Sequence, residues 1–199
     1  VAIVIDEQQI APPQSAKLGG ELYLVKRAKG WAAETQTPFD YTTGKFRRKS
    51  PGLQGPIDDA FLERFVVRKP TTSGDGGLVD RWADFESQHF MDRWRMLMRG
   101  EAPMQGDGHQ ILWGTPTTNP AIKAIVDKLP IEWNDKTVGM GDLKFDATKV
   151  VPTLIYPHPQ DPTKYVVINS GLTFREAHDR TNSLQNPKLG DWDFMAVTE

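Results

Sequence analysis

The chain of 199 residues is 38% hydrophobic and 25% charged, far from the compositions of disordered polypeptides, and it is long enough to bury a core. Its 24 Lys and Arg stand against 26 Asp and Glu, a net charge of -2, so no overall field recruits nucleic acid or an anionic membrane. Cysteine is absent, which excludes disulfides, thiolate metal sites and a thiol nucleophile, and no apolar run approaches the roughly 20 residues of a membrane-spanning helix.

The first ten residues, VAIVIDEQQI, are rich in β-branched side chains and are broken by Pro12, Pro13, Gly19 and Gly20. ELYLVKRAKGWAAE follows as a hairpin turning at Ala28-Lys29-Gly30, with Leu22, Leu24 and Trp31 facing a neighbour. This β unit is too small to bury its own apolar face. It is expected to pack on the rest of the chain or on a preceding segment, since Val1 falls inside an apparent strand, as in a processed or excised piece. Residues 38–56 are loop-like; Lys45, Arg47, Arg48 and Lys49 form a basic cluster that reads as a solvated connector.

Asp58 to Leu62 has a short helical pattern, its two aspartates suited to the positive end of a helix, and Arg64 to Arg68 reads as a strand. From Leu78 to Arg99, Val79, Trp82, Phe85, His89, Met91, Trp94 and Met98 recur at helical spacing, predicting an amphipathic helix ended by Gly100. A strand is expected over Gln110 to Trp113 and a helix over Ala121 to Leu129. Trp133, Val138, Leu143 and Phe145 then sit among turn residues in hairpin fashion. VVPTLIYPHP, KYVVINSG and Asp193 to Val197 complete the strands.

Strand, long helix, strand and helix in succession predict right-handed crossovers. The fold class expected is α/β: a small, mostly parallel sheet flanked by helices, a Rossmann-like or flavodoxin-like sandwich with an N-terminal antiparallel β appendage. Residues 1–50 would form the appendage and linker and 51–199 the sandwich domain. Ligands of such sheets gather at the carboxyl ends of the strands.

Two stretches lie at such ends. In WGTPTTNPAIK, Asn119 is a natural N-cap and Pro120 a natural first helical residue. The same helix start could hold an anion, but the loop has one glycine and lacks the Lys-Ser/Thr of a phosphate loop. In VINSGLTFRE, Ser170 precedes a glycine, yet Ile168 and Leu172 stand where a nucleophile elbow carries glycines. No catalytic residue is assigned. The candidate ligand-binding rim is Gly114, Thr115, Asn119, Asn169, Ser170 and Arg175, polar and rich in anion-friendly donors. His89, His109, His158 and His178 show no metal-ligand spacing, so neither metal nor cofactor is expected; His89, on the long helix's apolar stripe, reads as a core imidazole.

KSPGLQGPIDDAFLERFVVRKPT, WGTPTTNPAIKAIVDKLPIEW and PTLIYPHPQDPTKYVVINSGLTFRE, with the closing NPKLGDWDFMAV, resemble the C-terminal region of large bacterial prolyl-oligopeptidase-like or esterase-like hydrolases. The similarity runs from about residue 20 to the end. It implies an α/β-hydrolase core upstream in the same polypeptide, export from the cytoplasm, and an accessory, non-catalytic role for this chain, which lacks the family's nucleophile motif. The alternative from the residues is a small-molecule or anion-binding domain, possessing or lacking hydrolytic activity of its own.

Overall fold

The computed structural model describes residues 3–16, 20, 22–35, 49, 52–71, 76–173 and 191–198. The chain forms two compact units, Val1–Tyr41 and Thr42–Glu199.

In the first unit β1 (Ile3–Ile5) pairs antiparallel with β2 (Gln8–Ile10), and β3 (Tyr23–Arg27) with β4 (Gly30–Glu34). The β1–β2 turn places Asp6 and Glu7 both at positive φ, 49° and 64°, the twist that two-residue hairpins favour. Polar groups stitch the two hairpins together. Gln8 exchanges two hydrogen bonds of 2.7 Å with the backbone of Trp31, and Asp6 accepts from the Trp31 indole at 2.9 Å and from Lys26 at 3.1 Å. Ile10 is buried, whereas Leu24 is exposed.

The second unit is built on a five-stranded sheet in the order β12-β10-β11-β6-β5, comprising β5 (Phe65–Arg68), β6 (His109–Leu112), β10 (Val150–Pro157), β11 (Tyr165–Ile168) and β12 (Trp192–Ala196). Strands β5, β6 and β11 are parallel; β10 and β12 run antiparallel to their neighbours. A separate three-stranded antiparallel sheet holds β7 (Glu132–Trp133), β8 (Thr137–Met140) and β9 (Leu143–Asp146).

The helix-flanked, mostly parallel Rossmann-like or flavodoxin-like sandwich expected from the sequence is therefore overturned. Among the described residues there are twelve strands in four sheets, and α1 (Leu78–Met98) is the only α-helix longer than one turn. Two physical causes account for this. The helix expected over Ala121 to Leu129 stops after one turn, α2 (Pro120–Lys123), and continues as a 3-10 turn at Val126–Lys128. Ile122, Ile125 and Val126 are β-branched in a segment too short to recover the cost of helix nucleation, and Leu129 is held extended before Pro130. Beyond Pro130 the connections described are short and hold no helix, and β7–β8, β8–β9 and β10–β11 pair antiparallel.

Period-two alternation splits the central sheet between two cores. Phe65, Val67, Ile111, Trp113, Tyr165, Val167 and Ile155 face α1 and the 3-10 turn Ile57–Phe61, where Phe61 and Phe90 pack against them. Leu112, Val166, Ile168 and Leu154 face the other way onto Ile122, Ile125, Leu129 and Ile131. All four residues of β11 are buried, as a strand covered on both faces requires. Pro152 and Pro157 are tolerated inside β10 because β11 ends opposite Leu154 and β12 ends opposite the same residue, so each proline lies beyond one neighbouring strand.

The buried stripe of α1 is narrower than its sequence suggests. Val79, Ala83, Ser87 and Phe90 are buried, Trp82, Met91 and Trp94 pack at the margins, and Phe85 and Met98 are exposed. Small side chains at the centre let the helix axis approach the sheet. His89, expected as a core imidazole, lies part-exposed with Glu86 at 3.2 Å from Nδ1.

A Cβ built on Gly171 would meet Phe90 Cδ2 at 2.3 Å and Cγ at 2.9 Å. Phe90 is wedged among Phe61, Trp94 and Trp113 and has nowhere to move. Gly171→Ala is expected to lower stability by about 1–3 kcal/mol in chemical denaturation, and Gly171→Ala with Phe90→Leu to lose less than the sum of the two single changes.

Candidate functional site

The carboxyl ends of β5, β6 and β11 lie side by side, and the described residues of the expected rim, Gly114, Thr115, Asn119, Asn169 and Ser170, follow the ends of β6 and β11. Asn119 is the N-cap of α2: its Oδ1 accepts from the N–H of Ala121 at 2.9 Å. Its amide Nδ2 donates to the Trp113 carbonyl at 2.8 Å and to the Arg68 carbonyl at 3.1 Å, tying the ends of β5 and β6 together. Asn169 does the same on the other side. It accepts from Gly114 N at 2.8 Å, donates to Gly114 O at 3.0 Å and reaches Pro152 O at 3.4 Å. Its backbone is left-handed, φ 49°, a conformation asparagine adopts more easily than most residues.

Gly114 has φ 108°, and a Cβ there would lie 2.7 Å from Thr118 Oγ1 and 3.1 Å from Pro70. Thr115 forms a closed turn with Thr118: its N–H donates to Thr118 Oγ1 at 3.0 Å, and its carbonyl accepts from Asn119 N at 2.8 Å. Ser170 is buried, its hydroxyl donating to Gly171 O at 3.0 Å. Arg175 and His178 lie outside the described residues. So do Lys45, Arg47 and Arg48 of the basic cluster, while Lys49 pairs with Asp191.

The polar groups at the strand ends are thus committed to the protein's own backbone. Asn119 and Asn169 are both almost fully buried, and each satisfies carbonyls and N–H groups that the ends of the ladders leave over. His158 does not stand beside Ser170: it follows Pro157, which pairs with Tyr165, so the length of β11 separates the two, roughly 16 Å at the rise of an extended strand. Among the described residues no group of three acids and imidazoles could hold a metal ion.

The opposite end of the strands carries titratable groups that sequence reasoning did not single out. His109, at the start of β6, is buried; its Nδ1 accepts the Tyr165 N–H at 3.0 Å, so the ring proton resides on Nε2, 3.7 Å from Glu63. Burial pushes the His109 imidazole below its ordinary value, and Glu63 and Asp59 only partly oppose this. Tyr165 donates to Asp59 at 2.5 Å, and burial, with that bond, pushes its phenol up to about 12. Asp58 accepts from Thr173 N at 2.6 Å and from Thr173 Oγ1 at 2.5 Å. The paired aspartates stand in the first turn of the 3-10 helix, where the sequence put them, and they also reach across to β11 and the segment after it. Their spacing gave no sign of this, because the partners are more than 100 positions away.

A cleft of about 280 Å³ opens beside the strand ends, between the first turn of α1, the loop Thr115 to Thr117 and the β7–β8 turn with Trp133, Asn134 and Asp135. Of the described residues selected from sequence, Thr115 alone lines it. Comparison with protein-family models, with curated proteins and with solved structures returned no match.

Asn169→Ala leaves the Gly114 N–H and carbonyl buried without partners and is expected to cost about 2–4 kcal/mol of stability by denaturant titration. A depressed folded-state value for His109 means that the unfolded chain binds more protons below the ordinary imidazole value of about 6.5. Stability is therefore complete above that pH and falls as the pH drops toward 5. The His109→Gln variant is expected to flatten the dependence of Tm on pH in this window, and an unchanged slope would remove His109 as its source.

Proposed function

We propose that this chain is a non-catalytic accessory domain of a larger bacterial hydrolase-like protein, acting outside the cytoplasm against an α/β-hydrolase core that precedes it in the same polypeptide. What carries this reading is the satisfaction of Asn119, Asn169 and Ser170 by backbone partners, since a site poised for chemistry keeps donors or a nucleophile free for substrate. The three sequence blocks that resemble such hydrolases supply its context. Orienting or gating a neighbouring core needs a rigid scaffold, and clamped strand ends provide one.

A second reading, a small-molecule-binding domain, draws support from the cleft lined by Thr115 and Trp133 rather than from the strand-end asparagines.

Two measurements test the accessory role. A fluorophosphonate probe that labels activated serines is expected to leave the isolated chain unmodified, with Ser170 unlabelled; stoichiometric labelling at Ser170 would make the chain an enzyme in its own right. Sequencing the surrounding reading frame is expected to show an upstream hydrolase core with an intact triad, and a frame lacking one would end the attachment hypothesis.

A further inference from the structure

The cleft beside the strand ends differs in kind from the clamps next to it. Asn134 holds its side chain in a fixed orientation, because Oδ1 accepts from the N–H groups of Lys136 at 2.9 Å and Thr137 at 3.0 Å. Its Nδ2 donor is taken by no described residue. Asp135 accepts from Thr117 Oγ1 at 3.1 Å through Oδ1, which pins the carboxylate and leaves Oδ2 unclaimed among the described residues. Adjacent exposed side chains thus present one free donor and one free acceptor. That is the complement of an alcohol, which gives one hydrogen bond and takes another.

Trp133, immediately before this pair, is half-buried: it packs on the Leu112–Ile168 core and is also among the residues that line the cleft. Leu78, Val79 and Ala147 add apolar surface. An indole face beside a donor-acceptor pair suits a ligand with a C–H-rich face and hydroxyl edges. Charge narrows the class further. Among the described residues that line the cleft, Asp80 and Asp135 are acidic and none is a lysine or arginine, while Asp80 also stands in the first turn of α1, at its positive end. An anion would be repelled by the Asp135 carboxylate, whose Oδ2 takes no donor from a described residue.

We propose that this cleft binds a neutral saccharide, one sugar ring lying against Trp133 with a hydroxyl held between Asn134 and Asp135. The site stands independently of the accessory role, so failure of either leaves the other to be judged on its own test.

The experiment is a titration of the isotope-labelled chain, followed by amide and indole NMR, with methyl glycosides of glucose, galactose, mannose and N-acetylglucosamine. Inorganic phosphate and tetramethylammonium serve as charged controls. At least one glycoside is expected to give saturable shifts at the Trp133 indole N–H and the Asn134 side-chain amide, with neither control doing so. Asp135→Ala, and Asp135→Asn where the alanine variant loses spectral dispersion, are expected to weaken that glycoside by roughly tenfold. No saturable shift with any glycoside, saturation by phosphate or tetramethylammonium instead, or glycoside binding unaffected by loss of the Asp135 carboxylate would each overturn the proposal.

Discussion

Two buried asparagine side chains hold the carboxyl ends of β5, β6 and β11 in register. A short parallel ladder ends with unpaired carbonyls and N–H groups, and burying these without partners costs on the order of 1–3 kcal/mol each. Asn119 bridges Arg68 and Trp113 while capping α2, and Asn169 binds both polar groups of Gly114 while touching β10. Strands of only four residues have few ladder bonds of their own to fix their alignment. The clamps supply it from the side, and the apolar alternation that feeds the two cores depends on that alignment holding.

The amino ends are secured by a different chemistry. His109 and Tyr165 begin neighbouring parallel strands, and the imidazole accepts the N–H of Tyr165, while the phenol binds Asp59 and receives Gly55 N at 3.0 Å. Asp58 reaches beyond β11 to Thr173. The 3-10 turn Ile57–Phe61 therefore acts as a polar and apolar plug at once, giving Ile57, Ala60 and Phe61 to the core and its aspartates to the sheet's polar groups. Carboxylates are sustained there because hydroxyl and amide donors meet them.

Local features were legible in the sequence wherever one residue type has one dominant use. Asn119-Pro120 announces a capped helix start, the spacing of α1 announces a helix, and an all-apolar YVVI announces a strand covered on both sides. Pairing direction was legible only in part. β5, β6 and β11 pair parallel as the upstream elements suggest, but an apolar strand reads the same whether its neighbour runs with it or against it, and β10 and β12 make the sheet a mixed one. The expected rim was legible as a place and not as a purpose: Gly114, Thr115, Asn119, Asn169 and Ser170 gather at the strand ends, but which of their atoms remain free is decided by partners as distant as Asn169 from Gly114. Asn134 and Asp135 read as ordinary turn residues because only the fold brings Asp135 beside Thr117.

Position and availability thus come apart in this unit. In a larger parallel sheet, long helices start at the strand ends and leave their first N–H groups facing a crevice. Here α2 is a single turn, capped by an asparagine whose remaining donor is spent on two strand carbonyls. The polar atoms of Asn119 that could have served a ligand there are spent on the backbone. Free polar valence survives one layer away, where the β7–β8 turn is supported by its own Asx hydrogen bonds and need not supply any to the sheet. A polar atom left free in that way, beside a half-buried tryptophan, is what recognition requires; a clamp whose every atom is used is what rigidity requires, and the same atoms cannot supply both.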